Sequence, residues 1–319
     1  MRTAVLALAL LALVAGATAA EDAVRLLYHF EPDQTLDYEI TLSGSGVTTV
    51  TPEGAKEPQQ TVPMEMSGTM AMTQQVVQMY DDGSALLDMT VKNLEMDMTV
   101  REAGEPKRVN VKLTPDRLIV SGPEGSREMS LSEAGLGATP IGRPMRMRMS
   151  PRGEISAFSA EGLGQLASMT GMDFSEMMKP GETPFPERAV SPGDSWTYQM
   201  DIPSPTHDEK IEIGMEATLR SLEGDGPNRV ATIGIEGDVD LSGMTMEAPG
   251  GAPSAQKLTF ETLTEALTGE FAFDVQRGFV KQAAYDINLL TAMKVPAAED
   301  QPPSVVRTEM NMTMNMELK

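Results

Sequence analysis

Asn311-Met312-Thr313-Met314-Asn315-Met316-Glu317-Leu318 places every apolar residue at an even position and every polar residue at an odd one. A period of two sends alternate side chains to the same face of a β-strand and scatters them around a helix. The stretch therefore predicts a strand with one thioether-lined face. The same parity holds for Met64, Met66, Met70 and Met72, for Met96 and Met98, for Met145 to Met149, and for Met244 and Met246. Leu94, Met96, Met98 and Val100 alternate with Glu95, Asp97 and Thr99, and Ile211, Ile213 and Met215 alternate with Glu212 and Glu216. One apolar and one wet face is the habit of antiparallel sheets, so the fold class read from the chain is all-β and antiparallel.

Turn chemistry joins these runs into hairpins. Asp81-Asp82-Gly83 separates residues 64–80 from 84–100, the run Glu223 to Asn228 separates 210–222 from 229–243, and Arg277-Gly278 separates 258–275 from 279–291. Such strands exceed the usual five or six residues, and long strands twist or bend, which predicts long curved sheets or half-barrels. Helical spacing is confined to residues 159–178, with Leu163, Leu166 and Met169 on one side and a capping box at Asp173-Phe174-Ser175-Glu176. An internal echo links Phe30 to Ile40 with Val190 to Met200 at an offset of 160: each is a proline turn that launches a strand carrying a large apolar residue and a tyrosine. The expected organisation is a signal peptide at 1–20, a first β-rich half at 21–158, a helical connector and Pro-rich linker at 159–185, and a related second half at 186–319.

The signal peptide rests on Arg2, the apolar run Ala4 to Val14 and the Ala17-Thr18-Ala19 cleavage pattern. A periplasmic or secreted location follows as an expectation. No cysteine is present, which removes disulfides, thiolate sites and a lipid-modified cysteine. A net charge of −22 argues against nucleic acid as a partner, and no later apolar run is long enough for a helical membrane anchor.

The Phe30-x-Pro32-x-x-x-Leu36-x-Tyr38 opening, the segment Phe185 to Trp196 and the Phe273-Asp274-x-x-x-Gly278-x-Val280 hairpin resemble a domain-of-unknown-function family of exported bacterial β-rich proteins. The resemblance implies a fold and assigns no catalytic or binding residue. A looser architectural likeness is to the half-barrels of periplasmic lipoprotein carriers, which implies a hydrophobic ligand.

No nucleophile elbow, zinc-binding helix, phosphate loop or dinucleotide fingerprint occurs, so the expectation is a non-enzymatic scaffold without a cofactor. His29 reads as half-buried sheet surface and His207 as a loop residue. The candidate partners are a hydrophobic small molecule or another exported protein. The candidate ligand-lining residues are Met64, Met66, Met70, Met72, Met96, Met98, Met312, Met314, Met316 and Trp196. Methionine adapts to apolar ligands of variable shape and equally fills cores. Thioethers also select Cu(I) or Ag(I), but copper sites usually add His or Cys. Leu318, Val100, Ile213 and Phe273 share the inward positions of the methionines, which places packing or ligand lining ahead of metal.

Overall fold

The computed structural model describes residues 23–102, 105–131, 133, 141–160, 185–203, 210–240, 245–247, 257–295 and 303–319. These form fifteen strands. The first half of the chain supplies β1 (Thr35–Pro52), β2 (Gln60–Met79), β3 (Ala85–Glu102), β4 (Glu105–Leu113), β5 (Arg117–Gly122), β6 (Gly125–Ser130), β7 (Pro144–Met149) and β8 (Ile155–Ala160). The second supplies β9 (Ser195–Pro203), β10 (Lys210–Glu223), β11 (Val230–Asp240), β12 (Thr245–Glu247), β13 (Lys257–Asp274), β14 (Phe279–Val295) and β15 (Ser304–Leu318). All strands belong to one sheet, ordered β6-β5-β4-β3-β2-β1-β15-β14-β13-β11-β10-β9, with β7 on the lower part of β3, β8 on β7 and β12 on β13. Every strand pairing within it is antiparallel, as the alternation predicts.

The curved half-barrels in two related halves are not what forms. The sheet is flat and open, its path ending at β6 and β9 with no pairing between these edges. The strands of the two halves are continuous in this one sheet, because β1 pairs with the last strand, β15, from Tyr38↔Leu318 to Pro52↔Ser304 without a register shift. Strands bend most sharply at bulges. Bulges occur between β2 and β3, β7 and β8, β10 and β11, and β13 and β14, but the β1–β2, β1–β15 and β14–β15 ladders at the centre have none. Length without such devices extends the sheet instead of curling it. Of the expected helical connector, residues 159 and 160 belong to β8, and 161–178 lie outside the described residues.

The internal echo survives locally. Gln34 N–H donates to the Glu31 carbonyl at 3.1 Å and Asp194 N–H to the Ser191 carbonyl at 2.9 Å, so two matching turns launch β1 and β9. Leu36 and Tyr38 are buried on one strand as Trp196 and Tyr198 are on the other. Asp194 also accepts the Ser191 amide and the Arg188 guanidinium, both at 2.9 Å, and these bonds hold its carboxyl below the usual range.

The main core lies over one side of the sheet. Val24, Leu26, Phe185 and Val190 pack on Trp196, Tyr198, Met215, Leu219, Ile233, Phe271 and Phe273. Val24 and Val190 exchange two backbone hydrogen bonds of 2.8 Å, which clamp the segments before β1 and β9 together above β9 to β14. Tyr28, Phe185 and Phe273 bring their ring centroids within 4.9 to 5.4 Å, and burying each such ring is worth ~1.5–3 kcal/mol. His29 belongs to this covering segment and not to a strand. It is exposed, and its Nδ1 lies 2.6 Å from the Gln276 carbonyl oxygen. A smaller core joins Val76 of β2, Ala85 and Leu87 of β3 and Met147 of β7. There Arg146 makes a bidentate pair with Asp88, 2.7 Å on each arm, and Arg148 reaches Asp82 and Ser84.

Candidate functional site

The register places the methionines of separate strands in continuous rows. One row crosses the sheet as Val109, Met98, Met66, Gly44, Met312, Ile287, Leu267, Gly237, Met215 and Tyr198. The row beside it reads Val111, Met96, Gly68, Leu42, Met314, Tyr285, Gly269, Ile235, Ala217 and Trp196. A third runs Leu113, Leu94, Met70, Ile40, Met316, Ala283, Phe271, Ile233 and Leu219. No residue in these rows is polar apart from the tyrosine hydroxyls.

Burial divides this face in two. From β11 to β9 the rows lie under the covering segments, and Met215, Ala217 and Ile233 are 3%, 1% and 0% exposed. From β4 to β14 the same rows are half-buried apart from the buried Ala283, and Met98 is 39% exposed. All the described strands lie in the one open sheet, so none of them forms a second layer over the methionines. The partial burial comes from neighbours in the plane. A side chain at Gly44 would meet Met312 Cγ at 3.0 Å and Met66 Cγ at 3.2 Å, and one at Gly68 would meet Met96 Cγ at 3.2 Å. Met66, Met312 and Met96 thus lie across glycines of adjacent strands, where no facing side chain opposes the thioether.

The opposite face is polar along the same strands. Asn110, Asp97, Ser67, Ser43, Thr313, Asp286, Thr268, Glu236 and Glu216 form one row. Its middle contributes to a shallow open depression of ≈ 780 Å³. Asn110 donates to Asp97 at 3.0 Å and Thr313 to Asp286 at 2.7 Å. Among the described residues no group of three or more His, Cys, Asp or Glu side chains is arranged to hold a metal ion.

Of the ten sequence-predicted residues, the nine methionines share the apolar face, and Trp196 lies on it beneath the covering segment at 9% exposure. Sequence reasoning missed Leu42, Gly44, Gly46 and Gly68, because Leu42-Ser43-Gly44-Ser45-Gly46 hides its alternation behind glycines. Four buried or half-buried tyrosines border the core. Burial raises the phenols of Tyr38 and Tyr198 to about 12, and those of Tyr28 and Tyr285 are raised by the same cause. Tyr38 donates to the Val280 carbonyl at 3.2 Å, which ties β1 to β14 across β15.

No family model matches the chain, and no curated protein matches it, so neither likeness read from the sequence gains support there and the assignment stops at a β-rich protein. Among solved structures, the crystal structure of Pseudomonas aeruginosa OccK7 (OpdD) aligns over 90% of this chain and 99% of its own at 8% identity. The TM-score of 0.19 is too low to carry a likeness of fold. No helix among the described residues is long and apolar enough to cross a membrane.

Proposed function

We propose that this chain is an exported, non-catalytic scaffold that binds an apolar, lipid-like ligand on its methionine face. The observation that supports the reading is the set of unbroken apolar rows from β4 to β14, half-buried in a single open sheet that holds all the described strands. Apolar patches of several hundred Å² on a folded chain mark binding surfaces. Methionine beside glycine makes such a patch adaptable, which suits chains of variable length and shape. Export rests on the Arg2 to Ala19 signal pattern, and the absence of catalysis on the missing motifs.

The test is titration with a fluorescent fatty acid. The mature protein is expected to bind it and so is the triple variant Met312→Leu, Met314→Leu, Met316→Leu, since the swap keeps volume and apolarity. The corresponding triple Gln variant should keep its β circular dichroism and bind at least about tenfold more weakly, because each amide disfavours an apolar contact. Absence of binding by the wild type, or equal binding by the Gln variant, refutes the proposal. If the folded Leu variant loses tight Cu(I) binding shown by the wild type, the face belongs to soft metals instead.

A further inference from the structure

We propose that a second copy of this chain covers the methionine face when no ligand does, an inference that rests on reading this face as an apolar binding surface. The half-buried part spans β4, β3, β2, β1, β15 and β14, over residues 107–113, 94–100, 64–70, 40–46, 310–316 and 285–289. Six strands about 4.8 Å apart and four side-chain rows about 6.8 Å apart give a footprint of roughly 800 Å². A stable, specific interface takes about 800 Å² from each partner. The area left open is therefore the area a dimer needs.

The face is evenly apolar. Met66 and Met312 lean across Gly44, and Met310 lies against Gly46, so no polar group interrupts it there. A two-fold contact presents the same patch from both partners, so an apolar patch meets its own kind. Charge allows the contact as well. Within these ranges Lys107, at the rim, is the only charged residue on the methionine face, and Glu65, Glu95, Asp97 and Asp286 stand on the opposite face. Two such sheets stacked face to face, about 10 Å apart as in a sandwich, leave those carboxylates in water. The net charge of −22 on each copy makes association tighter as salt rises.

Sedimentation velocity of the mature chain at 0.15 M and 0.5 M salt, from about 1 to about 100 μM, reads the equilibrium directly. Monomer should pass to dimer with concentration, at lower concentration in high salt, and excess fluorescent fatty acid should return it to monomer. The double variant Leu42→Gln, Met312→Gln should stay monomeric. Because the chain has no cysteine, Met312→Cys and Thr313→Cys provide a second reading on opposite faces. A short bismaleimide should cross-link the first and spare the second. A chain that binds the fatty acid yet stays monomeric throughout overturns the second copy and leaves the ligand reading standing, as does equal or absent cross-linking of the two cysteine variants. A dimer of wild type that persists in the double variant places the contact elsewhere and also overturns the proposal. A dimer that cross-links through Met312→Cys in a chain that binds no fatty acid supports it and sinks the ligand reading alone.

Discussion

Identical residue types carry different weights on this sheet according to what lies above them. Phe273 is fully buried and touches Tyr28 and Phe185, so Phe273→Ala removes packing on two sides and should lower stability by about 3–5 kcal/mol in urea titrations. Met98 is 39% exposed, and Met98→Ala should change stability by less than about 1 kcal/mol. A pH effect follows from the tyrosines. Tyr38 and Tyr198 have phenols raised to about 12 by burial, while the unfolded chain ionises near 10. Their contribution is complete below pH about 10 and is lost as pH rises through about 12, because the unfolded state releases its protons first. Denaturation midpoints should fall across that window, and Tyr198→Phe should make the fall shallower. The parity of the methionines was legible in the sequence because a period of two is local. Their exposure was not, because it depends on whether segments distant in sequence roof the face.

At the scale of elements, the hairpins around Asp82-Gly83, Gly224 to Asn228 and Arg277-Gly278 were readable from turn chemistry, and β2–β3, β10–β11 and β13–β14 form there. The pairing of β1 with β15 was not readable, since no turn joins them and only the register sets Gly46 against Met310. That close approach is testable. A β-carbon at Gly46 would lie 2.6 Å from the Glu309 backbone oxygen, whereas one at Gly122 in β5 would meet nothing closer than 3.7 Å. Gly46→Ala should therefore force the central ladder apart and speed amide exchange in residues 305–317. Gly122→Ala, near the β6 edge, should leave exchange there unchanged. Equal effects of the two substitutions would contradict this account of the ladder. The covering segment adds a similar constraint: Gly278 has φ +67 and stands against His29 and Leu27, so a side chain there is strained twice, by backbone and by contact.

For the whole molecule, long strands led to the expectation of curvature, and bulge-free central ladders gave a flat sheet whose roof stops short of its width. The local echo of the two turns marks where β1 and β9 start, but a repeated turn says nothing about which strands later pair. The proposed function requires, at this scale, that the methionine face between β4 and β14 meet solvent or a ligand and not form a sealed core. Hydrogen peroxide footprinting reads this most directly, because thioethers oxidise where they are reached. With dilute mature chain, Met98 and Met312 should convert to sulfoxide well before Met147 and Met215, which are 4% and 3% exposed, and saturating fluorescent fatty acid should protect the first pair alone. Oxidation of Met98 and Met312 as slow as that of Met215, with or without the fatty acid, would show a closed core and contradict the account.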